Sequence, residues 1–189
     1  MKKILLILLV MIIGVSSAYS SIIQIGPTAT LDNVDIFKGK DAIDLDTFDY
    51  KDVANYQFGL ETRLNILFLS AHLNAFYQAP NEDLGVGSTI DTSLFGILDF
   101  SFFNIIRFGV GPGFHYMLDF TNIPENSDTV LENSTIDLKA HLTFNVGKVG
   151  VSAYYILPTA FKYNETFNPF VKMFDPEKGT LGVSLLFGL

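Results

Sequence analysis

The segment Ile136–Val146 alternates without a break: Ile136, Leu138, Ala140, Leu142, Phe144 and Val146 are apolar, and Asp137, Lys139, His141, Thr143 and Asn145 between them are polar. A helix would scatter such a pattern around its surface, whereas an extended strand sends successive side chains to opposite faces. The stretch therefore predicts a β-strand dividing an apolar environment from a polar one. At the C-terminus Leu181, Val183, Leu185, Phe187 and Leu189 oppose Thr180, Gly182, Ser184, Leu186 and Gly188. Within 55–66, Tyr56, Phe58, Leu60, Thr62, Leu64 and Ile66 oppose Asn55, Gln57, Gly59, Glu61, Arg63 and Asn65. Within 69–78, Leu69, Ala71, Leu73, Ala75 and Tyr77 oppose Ser70, His72, Asn74, Phe76 and Gln78. Residues 106–119 set Ile106, Phe108, Val110, Phe114, Tyr116 and Leu118 against Arg107, Gly109, Gly111, Gly113, His115 and Asp119. Weaker alternation over 22–31, 89–100 and 148–157 completes a set of eight strands. Pro27 and Pro112 lie inside two of them, each beside glycine. Proline cannot donate to a ladder and a closed sheet has no free edge, so bulges or kinks are expected there.

The connections also alternate. Three joints are short, around 66–68, 101–104 and 146–148, while 32–54, 79–88, 120–133 and 158–178 are long and polar. Long loops thus gather at one end of the sheet, and tight turns and both termini at the other. An even number of strands with this asymmetry is the pattern of an up-and-down transmembrane β-barrel.

Charge and volume decide which face meets what. Of the 20 acidic residues, only Glu61, Asp91, Asp99, Asp119 and Asp137 fall on the polar face of a strand, and the rest lie in the long loops. Arg63, Arg107 and Lys139 share that polar face, and the apolar face carries no charge. In a water-soluble barrel of this size the bulky Leu, Ile, Phe, Val and Tyr would have to crowd into an interior just wide enough for side chains. With the faces reversed, small and polar residues fill the lumen and the apolar set meets lipid. Tyr56, Tyr77, Tyr116 and Tyr155 sit on the apolar face near the long-loop end, and Phe68, Phe100, Phe144 and Phe187 lie toward the tight turns. These are expected to be two aromatic girdles at the membrane interfaces.

The N-terminus reads as a separate segment. Lys2 and Lys3 precede an apolar run from Ile4 to Val15, followed by Ser16-Ser17-Ala18. A spanning helix needs about 20 apolar residues, and this run is shorter. A secretory signal is expected over 1–18, cleaved after Ala18 or, as second choice, after Ser20, with a barrel domain over 19–189. The chain has no cysteine, which excludes disulfides, thiolate metal sites and a cysteine nucleophile. Its net charge of −8, with the cations scattered, leaves no basic stripe for nucleic acid.

Taken together, these residues resemble the small eight-stranded outer-membrane proteins of diderm bacteria, the group holding the OmpA transmembrane domain, OmpX and OmpW. The resemblance spans roughly 19–189, and its most specific element is the last strand. There Leu181, Val183, Leu185 and Phe187 are similar to the C-terminal signal read by the barrel-assembly machinery, although the terminal residue is Leu189 where Phe or Trp is usual. The resemblance implies residence in the bacterial outer membrane, with its lipids and that machinery as partners.

The inward face carries the candidate chemistry. Glu61, Arg63, His72, Asp91, Arg107, His115, Asp137, Lys139 and His141 are expected to form a polar network in the lumen. Ionisable groups at membrane depth must pair or be hydrated. A self-satisfied structural network is the leading reading. The alternative is a gate in which Glu61 exchanges cationic partners, with histidine supplying proton sensitivity. No catalytic, cofactor or metal site is assigned. Resemblance to lipid A deacylases would call for His-x-Ser, but the chain has His141-x-Thr143 and His72-x-Asn74, so a serine site would have to assemble across strands from Ser70, Ser93 or Ser152. Asp44, Asp46 and Asp49 lack the glycine and glutamate of a calcium loop and read as a solvated acidic loop. Gly109, Gly111 and Gly113 precede no helix, so they make room in the lumen and cradle no phosphate.

The expected protein is non-enzymatic: a side-chain-filled barrel acting in surface interaction or envelope integrity, with an extracellular ligand reached through loops 32–54 and 158–178. Two alternatives remain. One is a narrow porin or an OmpW-like route for small apolar molecules, kept open by Phe76, Phe95, Ile97, Met117, Tyr154 and Ile156 on the inward register. The other is an enzyme acting on envelope lipids.

Overall fold

A computed structural model of the chain describes residues 21–32, 34, 56–78, 89–103, 105–119, 134–162 and 178–189. The expected signal segment 1–18 and the acidic Asp44, Asp46 and Asp49 lie outside them, as do 79–88, 120–133 and most of the other two long loops. The strands are β1 (Ile23–Leu31), β2 (Tyr56–Ile66), β3 (Leu69–Gln78), β4 (Thr89–Phe102), β5 (Ile106–Asp119), β6 (Thr135–Val146), β7 (Val149–Lys162) and β8 (Thr180–Gly188). They pair antiparallel in chain order, and β8 returns to β1 to close a barrel. Closure removes every free sheet edge. β7 continues five residues past its expected end, so 158–162 is strand and not loop.

The tight turns bend through left-handed residues. Gly147 has φ 61°, at no steric cost, but Leu67 (φ 55°) and Phe103 (φ 50°) adopt the same conformation with a Cβ present. Such a residue costs on the order of 1–2 kcal/mol, which the closed ladders on either side sustain. The segment before β1 and the residue after β8 tie in here, with Asn65 N donating to Ile22 O at 2.7 Å and Leu189 N to Ile23 O at 3.0 Å.

Alternation in sequence becomes alternation in burial, with the sign opposite to that of a water-soluble protein. Leu60, Leu64, Leu73, Leu94, Leu98, Phe108, Leu142 and Val183 are exposed, while Glu61, Arg63, His72 and Lys139 are at most 1% exposed. Within the last strand Val183, Leu185 and Phe187 face outward and Leu186 is buried, and Leu189 just beyond it is exposed. An outward apolar band around a polar interior is stable where hydrocarbon, not water, surrounds the wall.

Of the bulges or kinks expected at Pro27 and Pro112, the bulges do not form. The β1–β2 and β5–β6 registers run unshifted through Pro27↔Leu60 and Pro112↔Leu138, so neither proline inserts an extra residue. The missing N–H instead leaves a gap in the other ladder, between Gln24–Ile25 and Thr28 on the β8 side and between Val110 and Gly113 on the β4 side. The irregularity lies at a third proline: the β6–β7 register shifts between Thr135↔Lys162 and Asp137↔Pro158.

The tyrosines divide. Tyr77 is exposed on the outer wall, Tyr56 and Tyr116 are intermediate, and Tyr155 is buried. Tyr155 departs from the exposed position expected of it because chain beyond the strand ends folds over it. Val34 N donates to Gly179 O at 2.8 Å, and the Tyr155 hydroxyl donates to Val34 O at 2.9 Å. At the other end Phe68, Phe100, Phe144 and Phe187 are exposed, as a girdle requires.

Candidate functional site

The lumen is crossed by side chains from the tight-turn end upward. Lowest is a bar of amides: Asn65 Nδ2 donates to Gln24 Oε1 at 3.2 Å, and Gln24 Nε2 to Asn145 Oδ1 at 3.3 Å. β1 and β6 are not neighbours in the sheet, so this chain spans the interior. Beside it Arg107 Nη2 donates to Asp99 Oδ2 at 2.8 Å.

Glu61 is the hub of the next level. Its Oε1 receives Lys139 Nζ at 2.6 Å and Arg63 Nε at 3.0 Å, and its Oε2 accepts from the Ser184 hydroxyl. Lys139 also donates to Asn74 Oδ1 at 3.2 Å, and Arg63 to Thr143 Oγ1 and Ser152 Oγ, both at 2.7 Å. Three strands besides β2, namely β6, β7 and β8, are thereby fastened to one carboxylate and one guanidinium, and Lys139 adds β3 through Asn74. All of these groups are buried, where a lost partner is expensive and a complete network is rigid. The Lys139 ammonium lies 4.1 Å from the centre of the Tyr154 ring, whose hydroxyl is 2.6 Å from Thr28 Oγ1. Gly182 makes this seat, since a Cβ there would stand 2.1 Å from Tyr154 Cζ.

Against this level pack Phe76, Phe95, Ile97, Tyr154 and Ile156, a buried apolar cluster. These inward positions pack together in the lumen; the side chain of Met117 lies outside the described residues. The glycine comb makes room as expected: a Cβ at Gly113 would stand 2.3 Å from Phe95 Cδ1, and one at Gly109 2.6 Å from Ile97 Cγ2.

Above the cluster is a cup of about 90 Å³ at the long-loop end, floored by Phe76, Phe95 and Ile156. His115 stands in its wall, Nε2 2.6 Å from Asp91 Oδ1 and Nδ1 3.0 Å from Asp137 Oδ2. Asp32 joins the rim, accepting from Gln57 Nε2 at 2.7 Å and Thr180 Oγ1 at 2.8 Å, and burial pushes its carboxyl up from the usual carboxylate range. The polar residues expected in one network thus form two groups. Glu61, Arg63, His72, Arg107, Lys139 and His141 lie deep, and Asp91, His115 and Asp137 lie at the cup. Asp99, Asn74, Thr143, Ser152 and Ser184 belong to the deep group and are absent from the network expected from sequence. Their inward register was visible in the alternation, but small polar residues on that face are too common to mark a partner.

Two chemical arrangements arise within the deep group. Ser70 Oγ lies 2.9 Å from His72 Nε2, and His72 Nδ1 lies 3.3 Å from Glu61 Oε1, the order of a nucleophile, base and acid. Ser70 Oγ also lies 3.1 Å from Asp99 Oδ2, and its one proton can serve only one of these two acceptors. Ligand atoms of His72, Asp99 and His141 also lie within 4.8 Å of one another. Those donor types suit a divalent metal, but Arg63, Arg107 and Lys139 already outnumber Glu61 and Asp99 in the deep group, and a further dication is disfavoured.

The chain matches no protein-family model and no curated protein. Among solved structures it is similar to Ail, the attachment invasion locus protein of Yersinia pestis, at 15% identity and a TM-score of 0.36, over 87% of this chain and 92% of that one.

Proposed function

We propose that this chain is an integral barrel of the bacterial outer membrane, sealed along its axis, that acts without catalysis in surface interaction or envelope integrity through its long-loop end. The observation that carries this reading is the crossed lumen: amide bar, Glu61 hub and apolar cluster follow one another, each bonded or packed across the interior. The exposed apolar band supports contact with membrane lipids. Outward Val183, Leu185, Phe187 and Leu189, with Leu181, support recognition of the last strand by the assembly machinery. Segments 32–54 and 163–177 join strands at the cup end, and an extracellular ligand would be met there.

The test is single-channel conductance of the refolded chain in planar bilayers from pH 5 to 8. A folded barrel that stays silent across the range is expected. Discrete openings that Glu61→Ala or Arg107→Ala alters would overturn the seal and make the deep network a gate.

A further inference from the structure

The tight-turn end is not the same all round. A tight reversal between strands calls for residues that tolerate a left-handed backbone, normally Gly, Asn or Asp. The β6–β7 turn obeys this with Gly147, followed by Lys148, and both are exposed. The β2–β3 and β4–β5 turns do not. Leu67 and Phe103 hold φ of 55° and 50°, and they stand 61% and 77% exposed. Phe68, Phe102 and Ile105 beside them are exposed as well. Glycine at either left-handed site would relieve the backbone, so what these turns gain from Leu67 and Phe103 is the side chain itself.

The two apolar turns are neighbours, because β3 pairs with β4, and Asp99 N of β4 donates to Phe68 O at 2.8 Å. The β6–β7 turn lies beyond them round the closed sheet. On the outer wall the Phe102 ring stacks on Phe108 at 5.7 Å between centres, and Phe108 on Phe100 at 5.6 Å. Residues 66–69 and 102–106 carry no charge. The apolar surface of these turns is therefore continuous with the exposed band of the wall, whereas the β6–β7 turn ends that band with an ammonium group.

We propose that the β2–β3 and β4–β5 turns are a one-sided lipid anchor: Leu67, Phe68, Phe102 and Phe103 insert into the leaflet at the tight-turn end, while Lys148 stays among its phosphate groups. The barrel then stands tilted, with its β2–β5 side deeper. Apolar side chains gain by leaving water, and a lysine at the membrane surface keeps its ammonium with the headgroups. A soluble protein partner would be held by a polar rim as well, and residues 66–69 and 102–106 offer only Asn104. The anchor rests on the membrane reading but not on any role of the long loops.

The chain has no cysteine, so single nitroxide labels can be placed on the refolded barrel in vesicles of phosphatidylethanolamine and phosphatidylglycerol. Collisions with oxygen, which concentrates in the acyl layer, against those with a water-soluble nickel chelate give the depth of each label. Labels at Leu67→Cys, Phe103→Cys and Lys148→Cys are compared with one at Leu142→Cys on the outer wall. The label at 142 should lie in the acyl layer, and those at 67 and 103 about 5 Å or more deeper than that at 148. A label at Ile105→Cys then reads the same edge in a chain carrying Leu67→Asn and Phe103→Asn, which suit the left-handed turn and remove the apolar side chains. That chain should fold by gel mobility and move the label at 105 about 5 Å toward water. Labels at 67 and 103 as open to nickel as that at 148 would overturn the anchor and leave the patch to a soluble partner. All three turns at one depth in the acyl layer would mean an even girdle without tilt, which also overturns it, as would a label at 105 that the double substitution does not move. A label at 142 open to nickel in a folded barrel would instead defeat the membrane reading.

Discussion

Replacing Glu61 by alanine should reveal how much of the barrel's stability the deep network carries. The side chain is fully buried and accepts from Lys139 Nζ at 2.6 Å, Arg63 Nε at 3.0 Å and the Ser184 hydroxyl. Its removal leaves an ammonium that keeps Asn74 and the Tyr154 ring, and a guanidinium that keeps Thr143 and Ser152, but neither retains an anion. Breaking one side of a buried pair costs about 3–5 kcal/mol, mostly the penalty of the stranded charge. Lys139→Met alone should cost less, because Arg63 still neutralises Glu61. The double variant Glu61→Ala/Lys139→Met should recover about 1–3 kcal/mol of the summed losses, since the two residues share one interaction. The chain has no tryptophan, so urea unfolding in lipid vesicles is best followed by far-UV circular dichroism and by gel mobility without boiling. A Glu61→Ala barrel within about 1 kcal/mol of the wild type would refute the reasoning and show that water or local rearrangement solvates the cations.

Further outcomes follow from the same geometry. Phe103→Gly should exceed Phe103→Ala in stability by about 1 kcal/mol in the same unfolding assay, because both lose the ring and only glycine relieves the positive φ. Gly182→Ala should destabilise by about 1–3 kcal/mol, its Cβ placed 2.1 Å from Tyr154 Cζ, and Tyr154→Leu in the same chain should restore part of the loss. Leu94→Arg, midway along the outer wall of β4, should cost about 2–4 kcal/mol in vesicles, whereas Phe102→Arg at the strand end should cost about 1 kcal/mol or less. Equal costs at the two depths would argue against a bilayer around the wall.

Much of the architecture was legible because the property that encodes it is local. Alternation such as that of Ile136–Val146 needs only two neighbours to define a strand and its faces, and connection lengths then set the order of strands and the two ends. The inward positions of Glu61, His72, Lys139 and Phe95 followed from the same count. Partners did not. That Glu61 meets Lys139 on β6 and Ser184 on β8 depends on closure, which brings residues 78 and 123 apart in sequence within bonding distance across the lumen. Nor could one strand's pattern say that Tyr155 would be covered by Val34 and Gly179, or that Pro158 rather than Pro27 or Pro112 would shift a register. Period decides which way a side chain points. Only the closed barrel, through the distances it imposes between strands remote in sequence, decides what that side chain touches.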